Sequence, residues 1–333
     1  MSAANDFDIA VVGAGAWGTT ISTLLARNGH MVLLWAYETE IVGDINNNHR
    51  NSTYLPDFEL DKKICATDNL SSLQGIKKLI IVIPSEFFSS TFLQLREYIS
   101  PATQVISATK GFIGHNLELP WEMVSQALPE NKTGVLSGPN LAREIASGLP
   151  AISLIASNDE KLIMDFQSIL SSNRFRVYGG TDVIGTGLAG ALKNIVAIAA
   201  GIVDGMDLGE NAMAALITRG LAEIIKLAEY RGGDVRTFYG VSGLGDLICT
   251  CQSRLSRNNT VGRLIASGKK LDEIRGMTQS VAEGISTTRH VHEYAMRHEL
   301  DLPITASIYR ILFENVDPTS EITELMTRSL KME

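Results

Sequence analysis

Near the N-terminus a short β-rich run, Asp8–Val12, leads straight into Gly13-Ala14-Gly15-Ala16-Trp17-Gly18, and a helical pattern, Trp17–Asn28, follows and stops at Gly29. Strand, glycine turn and helix in that order leave few folds open. Gly13 permits a tight turn, Gly15 lets a phosphate group approach the backbone, and Gly18 lets the helix lie close to the strand. The first turn of the helix then offers unpaired N–H groups and partial positive charge to an anion. The pattern predicts a Rossmann-type dinucleotide site. The residue that would read the adenosine ribose follows the next strand, Met31–Trp35, which runs out into Ala36-Tyr37-Glu38. An acid there favours NAD and an arginine favours NADP. Glu38 points toward NAD but also stands where the next helix starts, so both cofactors stay open.

A chain of 333 residues exceeds one ordinary domain. Over its first 180 residues, β-rich runs alternate with helical stretches such as Phe87–Ile99. The runs are Asp8–Val12, Met31–Trp35, Lys63–Ala66, Lys78–Ile83, Gln104–Ala108, Gly134–Ser137, Ala151–Ala156 and Phe175–Tyr178. Such alternation predicts βαβ units on a mostly parallel, doubly wound sheet. Beyond Gly179-Gly180 only helical patterns occur: Asp182–Asp204, Asn211–Tyr230, Ser256–Ser267, Glu283–His298 and Leu302–Glu314. The expected fold is α/β, a Rossmann domain over residues 1–180 followed by an all-helical substrate domain over 181–333.

Several functions are disfavoured. A net charge of -8 leaves no basic stripe for nucleic acid, although a few local cations can still bind a small anion. Cys65, Cys249 and Cys251 have neither disulfide-framework nor zinc spacing, and they fit reduced thiols in a cytoplasmic protein. The N-terminus lacks the basic flank and long apolar core of an export signal. The six histidines lack metal-ligand spacing, so no metal is expected. Val183–Val203 is long enough to span a bilayer, but Lys193 and Asn194 stand at its centre. A central lysine costs about 2.5–3.5 kcal/mol on insertion. The stretch is expected to be a buried helix with no membrane span.

Ligands of doubly wound sheets bind beyond the carboxyl ends of the strands. That rule selects Pro84-Ser85, Thr109-Lys110-Gly111 and Ser137-Gly138-Pro139-Asn140, with Lys110 the cation among them. From the helical part, Lys193 is a lysine in an apolar helix, which burial disfavours unless it is paired or functional. Gly243-Leu244-Gly245-Asp246 offers a partner carboxylate on a tight turn. Ser256-Arg257-Asn258-Asn259 opens a helix as a polar cap, and Arg257 is able to fork onto phosphate oxygens.

Together these segments resemble the bacterial type of NAD(P)-dependent glycerol-3-phosphate dehydrogenase. The resemblance runs along nearly the whole chain, through the glycine loop, Leu25–His30, Ala108–Gly111, Ser137–Pro139, Lys193-Asn194, Leu216–Gly220, Gly243–Leu247 and Ser256–Asn258. It implies reversible reduction of dihydroxyacetone phosphate to sn-glycerol 3-phosphate, for glycerophospholipid synthesis, in a cleft between the two domains of a homodimer. By resemblance, Lys193 is the proton donor and acceptor. Lys110, Gly138, Asn140, Lys193, Asp246, Ser256, Arg257 and Asn258 contact the phosphorylated substrate. Cofactor contacts are Ala16, Trp17, Tyr37, Lys110, Ala142, Arg257, Val281 and Glu283, beside Gly13, Gly15 and Gly18. Asn140 stands where the family usually has Ser or Thr, and Tyr37 where Arg or His is frequent. A β-hydroxyacid dehydrogenase, with a carboxylate substrate, and a non-catalytic dinucleotide sensor are the alternatives.

Overall fold

Ile9–Val12 (β1) is buried at every position, with Ile9 and Val11 in one apolar cluster and Ala10 and Val12 in another. A strand covered on both faces reads as a continuous apolar run, because successive side chains point to opposite sides of the sheet. The computed structural model describes residues 7–277 and 282–329. Around β1 it assembles β2 (Val32–Trp35), β3 (Ile64–Thr67), β4 (Lys78–Ile81), β5 (Gln104–Ser107), β6 (Thr133–Ser137), β7 (Ala151–Ser157) and β8 (Phe175–Gly180). These are the eight strands expected from sequence, within two residues at each end. Their order is 8-7-6-5-4-1-2-3, the doubly wound 3-2-1-4-5-6 arrangement extended by two strands. All neighbours are parallel except β6 and β7. A small antiparallel hairpin, Arg50–Asn51 with Leu55–Glu59, lies outside the sheet and was not expected.

The helices between strands are α1 (Ala16–Arg27), α2 (Thr39–Asn48), α3 (Ser85–Leu95), α4 (Pro120–Ala127), α5 (Ala142–Ala146) and α6 (Glu160–Leu170). Ile21 and Leu25 of α1 join the cluster of Val11, whereas Phe88 and Phe92 of α3 join that of Val12. The helical run expected to reach Ile99 breaks at Leu95 into a 3₁₀ turn, Arg96–Tyr98.

The remaining helices are α7 (Val183–Gly205), α8 (Gly209–Tyr230), α9 (Val235–Phe238), α10 (Asp246–Gln252), α11 (Arg257–Ala266), α12 (Leu271–Met277), α13 (Glu283–Arg297), α14 (Pro303–Phe313) and α15 (Pro318–Thr327). By internal contacts the chain forms two units, Met1–Ile113 with Glu118–Gly187, and Gly114–Leu117 with Leu188–Glu333. The division therefore falls inside α7, after its first turn. Asp182 starts that helix by accepting the Gly185 N–H at 2.8 Å. Asn211, expected to start α8, is already inside it, since the helix begins at Gly209.

α7 is apolar enough to cross a membrane by composition, with a mean hydropathy of 1.6, yet 89% of its most apolar stretch is buried within the protein. It is a core helix, and α11 crosses it backbone to backbone. A Cβ on Gly262 would stand 2.7 Å from the Ile202 nitrogen and 2.8 Å from the Gly201 carbonyl carbon. That contact sets the middle of α11 against the C-terminal end of α7, and one turn earlier in α11 Asn258 reaches Asn194 at the middle of α7.

Candidate active site

In the first unit the glycine loop leaves β1 with Gly13 at φ +115°, a conformation that side chains resist. A Cβ there would also stand 2.8 Å from the Val82 carbonyl carbon, just past β4, where the strand order reverses. A Cβ on Gly18 would strike the Gly13 carbonyl, so the helix can begin only over a bare residue. Gly15 differs, because nothing lies within 4 Å of the position its Cβ would take. Gly15 is also the N-cap of α1, which has no side-chain cap and no acid in its first turn. Its first N–H groups therefore face outward for an anion. Trp17 packs on the core beneath the loop, and its buried indole N–H has no hydrogen-bond partner among the described residues.

The other first-unit candidates lie on the loops after β2, β5 and β6. Tyr37 follows β2 and is 81% exposed. Glu38 is the N-cap residue of α2, and its carboxylate accepts the Tyr54 hydroxyl at 2.9 Å. Thr109 ties the β5 loop down by donating to the Ile83 carbonyl at 2.7 Å. The next residue, Lys110, donates from Nζ to the Gly138 carbonyl at 2.9 Å, bringing two sequence-predicted substrate residues together. Asn140 is held to β7, where the buried Ser153 hydroxyl donates to its Oδ1 at 3.2 Å. Ala142 opens α5, and its carbonyl accepts a 3.3 Å bond from Thr20 of α1.

In the second unit Lys193 is buried, and its ammonium donates to the Asp246 carboxylate and, at 2.6 Å, to the Thr250 hydroxyl. Asp246 does not sit on a tight turn, contrary to expectation. Val241–Gly245 is one π-helical turn that runs directly into α10, with Asp246 in its first turn. The helix then places Thr250 four residues on, above the same face. Thr250 gives its own proton to the Asp246 carbonyl at 2.6 Å, which aims an oxygen lone pair at the lysine. A buried pair like this contributes little net stability, because desolvation offsets the attraction. What it does is hold the ammonium in one place.

α11 opens with Ser256 as N-cap, its hydroxyl oxygen accepting the Asn259 N–H at 3.3 Å. Arg257 follows and is exposed. Asn258 turns inward, donating to Asn194 Oδ1 at 2.9 Å and accepting the Gly284 N–H at 3.0 Å. It thereby ties the residue after Lys193 to the start of α13, whose first residue is Glu283. Val281 lies outside the described residues.

The descriptions of two family models cover this chain. The N-terminal part of NAD-dependent glycerol-3-phosphate dehydrogenase matches residues 8–163, and the C-terminal part matches residues 182–323. The chain belongs to the NAD-dependent glycerol-3-phosphate dehydrogenase family. It is 42% identical over 330 residues to the glycerol-3-phosphate dehydrogenase (NAD(P)+) of Syntrophotalea carbinolica, covering 98% of this chain and 99% of that one. It is also 42% identical, over 332 residues, to the protein of the same name from Maridesulfovibrio salexigens, again covering 98% and 99%. The crystal structure of glycerol-3-phosphate dehydrogenase from Coxiella burnetii superposes with a TM-score of 0.92 at 39% identity, over 96% of this chain and 98% of that one.

For this member of the glycerol-3-phosphate dehydrogenase family, sequence reasoning missed Thr250. The signal was present in its spacing of four from Asp246 on a short helix, but only once α10 is recognised. It also missed Asn194 as the acceptor for Asn258. Cys251, beside this cluster, has its thiol pushed up to about 12 by burial, which suits an inert core thiol rather than a nucleophile.

Proposed function

We propose that this protein catalyses the reversible reduction of dihydroxyacetone phosphate to sn-glycerol 3-phosphate with NADH or NADPH. The observation that carries the reading is the buried Lys193 ammonium between Asp246 and Thr250 in a chain of this family. The dinucleotide fits the first unit, since Gly15 presents an open backbone face, α1 has an uncapped N-terminus, and the Trp17 indole has an orphaned N–H. Gly13, Gly15, Ala16, Trp17 and Gly18 would hold its phosphates, with Tyr37, Lys110, Ala142, Arg257, Val281 and Glu283 as further contacts. When bound, the reduced nicotinamide supplies the hydride that goes to the ketone carbon of the substrate.

The chain's own groups do the rest. Lys193 delivers a proton from Nζ to the ketone oxygen as negative charge grows there, and Lys110 stabilises that charge. Arg257 offers a planar fork to the substrate phosphate and so orients the carbonyl. Ser256 accepts from the backbone as a cap, which leaves its own O–H to donate to the phosphate. One Asn258 N–H serves Asn194, and the other serves substrate. Gly138 and Asn140 line the loop that Lys110 touches, and Asp246 holds the Lys193 ammonium in place. In the oxidative direction Lys193 takes the hydroxyl proton back. This reading extends to a cytoplasmic homodimer whose product enters glycerophospholipid synthesis, and family membership supports it.

The test is to mix the purified protein with dihydroxyacetone phosphate and NADH or NADPH, then follow loss of reduced-nicotinamide absorbance. Turnover with either cofactor is expected. No loss with both would overturn the proposal, and so would turnover confined to a carboxylate substrate.

A further inference from the structure

Glu223, on α8, is a carboxylate that the proposed chemistry does not use. It is turned toward α14, a helix with an incomplete start: Pro303 at its first position has no N–H, and Leu302 provides no side-chain cap. The orphan donors go to Glu223 instead. Its Oε1 accepts the Ile304 N–H at 2.5 Å, and its Oε2 accepts the Thr305 N–H at 3.1 Å and hydroxyl at 3.2 Å. A residue from another helix thus does the work of an N-cap, and the positive end of the α14 dipole favours its charge.

This clasp stands behind the Lys193 turn. A cavity of about 10 Å³, on the order of one water, is lined by Leu192, Ile195 and Val196 of α7, Gly220 and Glu223 of α8, and Thr305 of α14. Leu192 and Ile195 bracket Lys193-Asn194 in the chain. α8 rides directly on this turn, since a Cβ on Gly220 would come within 2.7 Å of Val196 Cγ1. Lys193 leaves the turn toward α10, where Asp246 and Thr250 hold its ammonium. Packed helices move as rigid elements, so a change in how α14 is held reaches the lysine through these contacts.

We propose that Glu223 is a positioning residue for Lys193: by capping α14 with its carboxylate it fixes the packing behind the α7 turn, and taking up a proton loosens that hold. The inference rests on Lys193 being the proton donor. Desolvation raises the Glu223 carboxyl from 4.5 to about 7, and the nearby Asp301 adds to the rise. Lys226, one turn along α8, directs its ammonium to the Asp301 carbonyl at 3.0 Å. The residues that α7 and α13 contribute to the cavity, Leu192, Ile195, Val196 and Val291, are apolar.

The test compares wild type, Glu223→Gln and Glu223→Leu by kcat–pH profile, by KM for dihydroxyacetone phosphate, and by hydrogen exchange across residues 192–196. Glu223→Leu is expected to lower kcat about fivefold or more, with KM within about twofold, and to speed exchange in that segment. Glu223→Gln keeps an acceptor oxygen but is neutral like the protonated acid, so its kcat should lie above that of Glu223→Leu, near the low-pH plateau of wild type, with no inflection near pH 7. A Gln profile superimposable on wild type, or unchanged exchange in the Leu variant, would overturn the proposal. If Glu223→Leu does not fold, the Gln profile decides alone. Turnover retained by Lys193→Met would instead point to a fault in the proposed function, whereas its loss beside an unchanged Gln profile would sink this inference only.

Discussion

The Lys193 ammonium and the Asp246 carboxylate meet inside the helical unit, with side chains 7% and 1% exposed. Removing either partner leaves the other buried and uncompensated, which costs roughly 3–5 kcal/mol. Lys193→Met should therefore lower Tm as well as reduce kcat by about 10²–10⁴. Joined to Asp246→Leu it should regain most of the lost stability and stay inactive. Thermal unfolding of the single and double variants checks this, and a double variant no more stable than the singles would count against the pair as described.

Thr250→Val removes an acceptor from the Lys193 ammonium without changing side-chain shape much. A fall in kcat of about tenfold is expected, because one buried hydrogen bond to a charged group is worth roughly 1.5–3 kcal/mol. Thr250→Ser should restore it, and KM for dihydroxyacetone phosphate should stay nearly constant in both. Steady-state kinetics distinguishes this from a general loss of folding, which would not be rescued by the hydroxyl.

The loop glycines separate binding from folding. Gly15 has ordinary backbone angles, φ -64° and ψ 178°, and open space at its Cβ. Gly15→Ala should leave Tm unchanged and raise KM for NADH or NADPH. Gly18→Ala drives a methyl against the Gly13 carbonyl and should cost about 1–3 kcal/mol in stability. An early melt for the Gly15 variant, or unchanged cofactor affinity, would contradict this division.

Tyr37 is exposed just past β2, and Glu38 beside it is engaged with Tyr54. Tyr37→Arg adds a guanidinium for a 2′-phosphate, so kcat/KM with NADPH relative to NADH should rise about tenfold, the worth of one charge-assisted bond. The ratio measured with both cofactors settles it.

Stability should also carry a pH signature. The folded protein keeps a proton on Glu223 up to about pH 7, whereas the unfolded chain releases it near 4.5. The folded state binds more protons in that interval, so this group's contribution to stability falls as pH rises from about 4.5 to about 7, then levels off. Glu223→Gln should flatten that part of the Tm–pH curve.

Much of the fold was legible along the chain. All eight sheet strands were: central strands such as Ile9–Val12 and Val32–Trp35 are buried on both faces and apolar throughout. The edge strand Phe175–Gly180 begins by alternating buried with exposed positions, and helices covering the sheet must be apolar on one side. The hairpin Arg50–Glu59 was not, since two short, half-exposed strands carry no such pattern. The short helix α10 escaped for a related reason: seven residues after a glycine-rich turn have too few turns to show a period.

The site divides in the same way. The glycine loop is local: Gly13 makes the turn, Gly18 lies against the Gly13 carbonyl and Gly15 leaves its backbone face open, so sequence alone marked the loop expected to take a dinucleotide. Lys193 was flagged by sequence too, as a charge in an apolar helix. Its partners were decided only by tertiary structure, because Asp246 and Thr250 lie more than fifty positions away and Glu223 acts through a helix start eighty-one positions further on. Local pattern reports which face of an element is buried. Which charged groups then share that interior depends on how the helices cross, and the backbone contact at Gly201 and Gly262 sets that crossing where no periodicity records it.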